Sequence, residues 1–222
     1  MTGKTIAIAV GAVASFAVAQ PTTTIFTGGD AGFNALTNNA ALEQGVVETR
    51  IGNAAMNGAW EVGLWRFGAV GTPLDQDDRS ITNAVAVPFT LNYDGGTTVT
   101  FTIGGSTVSD DIGPGGFTDI FIRARSRADT EVSFSDLQLD GVDLDLTSFA
   151  STGNVPAQYL RIENSGSSFG AFELTGSQTF SWTGNRPSQS QLAAQIKLTN
   201  VPTPGAAAVA MLGFGMAARH RR

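Results

Sequence analysis

Cysteine is absent from this chain of 222 residues, and histidine occurs once, as His220. Disulfides therefore cannot stabilise it. Ser-His-Asp triads, Cys-His nucleophiles and His/Cys metal sites are excluded from everything but the last three residues. Lysine is nearly missing as well, with only Lys4 and Lys197, and the two tyrosines are Tyr93 and Tyr159. What remains for chemistry is carboxylates, a tyrosine hydroxyl or an oxygen-ligated cation. An enzyme under those limits is best imagined as a two-carboxylate glycosidase, and no carboxylate pair is marked in the sequence. Positive charge is also scarce: 13 bases face 19 acids. Four of the bases (Lys4, Arg219, Arg221, Arg222) sit in the terminal segments, which carry no acid; the body keeps nine bases and a balance of −10. That argues against phosphate-backbone recognition, so no nucleic-acid partner is expected.

The two ends are different in kind from the body. Residues 5–18 are small and apolar behind Lys4, and Ala17-Val18-Ala19 offers a small-x-small exit before Gln20. This is the layout of a secretory signal peptide cleaved between Ala19 and Gln20. At the other end Val201, Pro202, Thr203 and Pro204 precede a charge-free run, Ala206 to Ala218, and then Arg219, Arg221 and Arg222. As a helix that run would reach roughly 20 Å, short of the ~30 Å hydrocarbon core. The terminal arginines would hold the cytoplasmic side. The expected plan is a signal peptide over 1–19, one domain over 20–200 and a sorting tail over 201–222.

The body reads as β throughout. Val85, Val87, Phe89, Leu91 and Tyr93 alternate with polar or small residues. After Asp94-Gly95-Gly96-Thr97 the alternation resumes as Val99, Phe101 and Ile103 against threonines, a hairpin signature. Pro88 cannot donate to a ladder, which places its strand at an edge or a bulge. Further strands are predicted at 118–126, at 132–139 with a bulge near Ser135-Asp136, and over Val142, Leu144 and Leu146. A second hairpin is predicted from Leu160 and Ile162 through 164–168 into Phe172 and Leu174. Phe180 with Trp182, and Leu192 to Leu198, complete the series. Residues 40–47 read as a helix at about even odds, with Gly45 and the surrounding Asn-rich stretch against it. Eight to ten strands in about 180 residues indicate an all-β fold, a single sandwich or jelly-roll-like domain.

The candidate sites are each open to two readings. Arg123, Arg125 and Arg127 share a strand face at i, i+2, i+4; they either meet acidic polysaccharide or pair with acids such as Glu131, Asp136 and Asp143. Trp60, Trp65 and Trp182 either stack on sugar rings or fill the core. Asp140, Asp143 and Asp145 either ligate calcium or lie on a solvated strand. Asp75, Asp77, Asp78, Asp110 and Asp111 read as turn acids. The Gly-Gly pairs and Gly113-Pro-Gly-Gly116 lack nucleotide-binding spacing and are read as turns, and no cofactor is expected.

The Pro-x-Pro element, the Gly/Ala-rich apolar run and Arg-His-Arg-Arg222 resemble the PEP-CTERM sorting signal of exopolysaccharide-producing bacteria. Thr203 stands where the usual motif carries Glu, as in a minority form of the signal. The resemblance implies processing by a membrane-embedded exosortase, after signal peptidase, with transient residence in the inner membrane. Gly58-Ala-Trp60-Glu61, Val87 to Asp94, and Asp119 to Ala124 with Leu137 to Gly141 are similar to the β-rich choice-of-anchor domains found ahead of such tails. That resemblance implies a surface domain associated with exopolysaccharide and carries no catalytic residue. The expected function is a non-enzymatic, exported surface or matrix protein. An extracellular carbohydrate-binding sandwich is the alternative, and a carboxylate-only glycoside hydrolase the third.

Overall fold

The computed structural model describes residues 21–38, 41–51, 61–68, 71–145, 148–153, 155, 157–164, 167–187 and 192–201. The expectations for Ala17, Ala19, Gln20, Trp60, Leu146, Pro202, Thr203, Pro204, Arg219, Arg221 and Arg222 lie outside these residues. The described chain opens with β1 (Thr22–Phe26), α1 (Gly29–Leu36), β2 (Glu43–Ile51), β3 (Val62–Arg66) and β4 (Asp75–Asp77). A meander follows: β5 (Val87–Tyr93), β6 (Thr98–Ile103) and β7 (Ser106–Asp111). Then come β8 (Asp119–Arg125), β9 (Thr130–Leu139), β10 (Val142–Asp143), β11 (Ser148–Thr152), β12 (Ala157–Glu163), β13 (Phe172–Trp182) and β14 (Leu192–Thr199).

These strands form two antiparallel seven-stranded sheets, consistent with a β-sandwich. The first runs β1-β12-β8-β14-β2-β3-β4; the second runs β10-β9-β13-β5-β6-β7, with β11 also paired to β9. From β7 onward the chain passes repeatedly between the sheets. Period-two alternation turns Phe89, Leu91, Val99, Phe101 and Ile103 of one sheet toward Ile120, Ile122, Ile196 and Leu198 of the other, in one buried core.

Local chemistry fixes the turns. In the β5–β6 hairpin Asp94 Oδ1 accepts the amides of Gly96 at 2.7 Å and Thr98 at 3.0 Å. Backbone hydrogen bonds, that of Gly96 foremost, hold the Asp94 carboxyl below the usual carboxylate range. Asp140 and Gly141 have φ of 52° and 74°, the pair of left-handed residues that a two-residue I′ turn between β9 and β10 requires. The bulge anticipated near Ser135-Asp136 is present. Thr175 pairs with Gln138 and Ser177 with Ser135, so Gly176 alone faces Asp136 and Leu137.

Several expectations are corrected. Fourteen strands, not eight to ten, occur among the described residues, because short edge strands such as β4 and β10 carry too little alternation to be seen. Residues 43–51 are strand β2, and the helix lies earlier, at α1. Both faces of β2 are buried, which erases the alternation that would have marked it. Pro88 is in neither an edge strand nor a bulge: β5 lies between β13 and β6. It sits one residue beyond the last β5–β6 pair, Phe89 with Ile103. The strand over Val142 to Leu146 shrinks to two residues, with Val142 exposed. Finally, β12 and β13 are not a hairpin but belong to different sheets. Their connection crosses between the sheets with Phe169 buried and its amide on Phe117 O at 2.7 Å.

Candidate functional site

The sandwich has its core on one side of the β8 sheet and a second buried layer on the other. There α1 lays Phe33 against Tyr159, stacked at 4.8 Å between ring centroids, and edge-on to Phe121 at 5.1 Å. Val201 joins this cluster. Its amide takes the Thr118 hydroxyl oxygen at 3.0 Å, and the same hydroxyl lies 3.0 Å from its carbonyl. The residue directly ahead of Pro202 is thus packed into the domain.

Strand register then sets a polar row across this outer face. Tyr159 pairs with Arg123, Arg123 with Gln195, and Gln195 with Glu48. Arg123 donates from Nε to Asp30 Oδ1 at 2.8 Å and from Nη2 to Oδ2 at 2.7 Å. It also reaches Gln195 Oε1 at 3.2 Å, and Gln195 donates onward to Glu48. Tyr159 donates its hydroxyl to Asp30 Oδ1 at 2.7 Å. One row further along, Lys197 Nζ sits 2.9 Å from Glu43 Oε2 and 5.0 Å from the centre of the Phe33 ring.

The electrostatics follow from burial and pairing. Burial alone would raise the Asp30 carboxyl, but the hydrogen bonds and charge of Arg123, helped by Tyr159, hold it below the usual range. Burial pushes the Tyr159 phenol upward and Lys197 downward, the latter opposed by Glu43. Arg123, despite burial, is kept firmly charged by Asp30. The charges of this row are paired within the fold, Arg123 with Asp30, Lys197 with Glu43 and Glu48 with Arg50 at 3.9 Å, the pattern of a structural network.

This decides where the arginine stripe goes. Arg123 is 8% exposed and committed to Asp30, not to the acids of β9 and β10. Arg125 is half-buried, and Arg127 lies beyond the strand, exposed in the β8–β9 turn. The sequence offered no sign of Asp30, which is 93 positions from Arg123. Trp65 is buried at 3% exposure on β3. Asp140 spends an oxygen on the Glu173 amide and Asp143 one on the Asp145 amide, each at 2.9 Å or less. No group of three or more His, Cys, Asp or Glu side chains able to hold a metal occurs among the described residues.

Trp182 is different. It is half-buried, packs on the core from the end of β13, and lines a depression of about 530 Å³. The other walls are Asn83 and Ala84, the β8–β9 corner from Ala128 through Glu131, Gly153, and Ser181 with Thr183. Asn83 fixes the tryptophan backbone from both sides. Its amide donates to Trp182 O at 3.0 Å and its oxygen accepts from Trp182 N at 2.9 Å. Asp129, at φ 60°, takes the corner of the β8–β9 turn and accepts the Thr183 amide on its carbonyl at 3.0 Å. Thr130 spends its hydroxyl on both backbone groups of Arg127. The volume lies in the range of small-ligand sites. Strand register turns the Trp182 side chain toward the core with Phe180, while Glu131 pairs with Ser181 on the opposite face. No family model and no curated protein matches the chain.

Proposed function

We propose that this chain is an exported, non-enzymatic surface or matrix protein, sorted through its C-terminal tail by an exosortase-type enzyme and associated with polysaccharide. The observation that carries the reading is how the folded body fits between the two terminal segments. Strand β1 begins at Thr22, two residues past the expected cleavage site, and Val201 is buried directly ahead of Pro202. An A-x-A exit before the first strand and a Pro-x-Pro/apolar/arginine tail after the last packed residue make a body that folds between two processing signals. The repeated passage of the chain between sheets supports a jelly-roll-like sandwich for that body. No helix among the described residues is long and apolar enough to cross a membrane.

Replacing Pro202 and Pro204 together by Ala tests the tail. Proline holds itself and its predecessor in extended geometry, the form a processing enzyme would grip outside the bilayer. Export should survive, and the unprocessed precursor should accumulate in the inner membrane. Deleting residues 205–222 should instead release the domain unsorted. Wild-type maturation of the double variant would reduce the motif to a linker and end the sorting hypothesis.

The depression at Trp182 favours a second reading alongside the first, a carbohydrate-binding sandwich. Trp182 is half-buried at the sandwich edge with its backbone clamped by Asn83, and the part of its indole left in solvent is suited to stacking against a sugar ring. Loss of glycan retention in W182A, with the fold intact, would support it.

A further inference from the structure

We infer that the end of the sandwich from which the tail leaves is a bilayer-facing surface. Phe67 and Leu74, at the two sides of the β3–β4 connection, sit in the lipid interface while the tail is in the membrane. This rests on the sorting reading above and says how the folded body lies at that stage. Strand register carries the placement. One transverse row runs Thr22–Glu163–Asp119–Thr199–Glu43 across β1, β12, β8, β14 and β2. Thr22 and Thr199 are thus at the same end of the sheet, three strand spacings or about 14 Å apart. Gly45 pairs with Arg66, and the Phe67 amide donates to Gln44 O at 3.1 Å, so the β3–β4 connection lies at this end too. The tether is short. Only Pro202 to Gly205 separate buried Val201 from the charge-free run that begins at Ala206. Four fully extended residues reach at most about 14 Å. Once that run is in hydrocarbon, this end of the sandwich lies against the headgroups.

The second observation is what this end displays. Phe67 is 57% exposed and Leu74 42%, and the sequence from 67 to 74 carries no charge. Phe67 also has φ of 57°, a left-handed backbone that a bulky residue rarely adopts. Burial of the ring within the domain does not offset that cost; transfer of the ring into the interface does. Both side chains start from fixed backbone. Arg66, which donates to Asp111 O at 2.8 Å, lies 5.9 Å from the Phe67 ring centre, and the Leu74 amide donates to Leu64 O at 2.7 Å. The contact is apolar rather than electrostatic. The β5–β6 turn, tied to this end by the Ile112 amide on Thr97 O at 2.9 Å, carries exposed Asp94, a like charge toward anionic headgroups. A zwitterionic bilayer therefore suits this surface.

The chain has no cysteine, so T72C, L74C and V85C each take a single environment-sensitive NBD label. Thr72 is exposed between Phe67 and Leu74, and its label leaves both side chains in place. Val85 is the control: it is 47% exposed but lies at the opposite end, ahead of β5, whose far end Tyr93 leads into the Asp94 turn. The exported chain, residues 20–222, is reconstituted with phosphatidylcholine vesicles, and flotation checks that it is anchored. Labels at 72 and 74 should shift to shorter emission wavelengths and be shielded several-fold from aqueous iodide; the label at 85 should do neither. Introducing F67D and L74D together should abolish the shielding at 72 while flotation persists. Asp tolerates the left-handed backbone at position 67, so the turn survives this change. Adding phosphatidylglycerol should not increase the shielding. Floating protein whose labels at 72 and 74 stay as accessible as that at 85 overturns the inference and leaves the tail reading standing. Shielding at all three sites, or shielding at 72 that survives F67D/L74D, overturns it as well. If the chain does not float with the vesicles, both this inference and the tail reading fail.

Discussion

Arg123 and Asp30, one from the middle of a sheet and one from the short helix α1 laid over it, meet through two parallel hydrogen bonds of 2.8 and 2.7 Å. The two partners differ in exposure: the arginine side chain is 9% accessible and the aspartate 48%. That asymmetry determines how substitutions act. D30A leaves a buried guanidinium unpaired and also strips the Tyr159 hydroxyl of its acceptor, a loss of about 3 kcal/mol. R123M removes the charge and fills the space, and the half-exposed Asp30 finds water, so about 1–2 kcal/mol is expected. Urea denaturation should rank D30A below R123M, with the double variant close to R123M alone. A more severe R123M would mean that the arginine, not its pairing, stabilises this layer.

The same pair sets an acid limb. Asp30 in the fold titrates below its ordinary value of 3.8. Its contribution is therefore complete above the unfolded pKa and is lost as pH falls through the folded one. Urea midpoints measured between about pH 2.5 and 6 should fall more steeply at the acid end for the wild type than for D30N. Parallel profiles would show that Asp30 gains nothing from Arg123.

How much of this was legible depends on the range of each interaction. The β5–β6 hairpin could be read because Asp94, Gly95 and Gly96 lie between the strands they join. The bulge in β9 could be read because its apolar phase shifts within one strand. Strand β2 could not. Glu43 and Glu48 are buried only because Lys197 and Gln195, 154 and 147 positions away, neutralise or bond them. The supposed hairpin of β12 and β13 failed for a related reason. Alternation says which residues face inward but not which sheet a strand joins, and the burial of Phe169 that carries the chain across is a tertiary fact. Trp182 stood out as one of three tryptophans, but the β8–β9 corner that flanks it comes from more than fifty positions earlier in the chain.

Gly176 is a sharper test of the bulge. A Cβ there would lie 2.7 Å from Leu137 Cδ2 and 3.0 Å from a Phe89 ring carbon. G176A should cost about 1–3 kcal/mol through overpacking of the core. Gly170 has nothing within 4 Å of an added Cβ, so G170A should stay within about 0.5 kcal/mol of wild type. Thermal or urea unfolding of both reports the difference, and equal values would mean that the core yields at the bulge.

The last prediction concerns the outer edge of β7. One side of that strand pairs with β6, and the other would present bare amides and carbonyls, a template for edge-to-edge aggregation. Side chains from the opposite sheet cover it instead. Asp75 Oδ2 accepts the Ser109 amide at 2.7 Å, Asp77 Oδ2 accepts that of Thr107 at 3.3 Å, and Arg66 donates to Asp111 O at 2.8 Å. Residues 107, 109 and 111 are thus each held by a side chain of β3 or β4, and the acids that resembled simple turn formers stitch one sheet to the other. D75A should expose the Ser109 amide and speed its hydrogen exchange about tenfold, the worth of one net hydrogen bond. D75N keeps an oxygen acceptor at the same place and should restore most of the protection. The pair D75A/D77A should also raise the tendency to aggregate at high concentration, seen by light scattering, with little change in global stability because β4 buries few apolar side chains. Unchanged exchange at Ser109 in D75A would show that water satisfies the edge equally well and that the stitch is incidental.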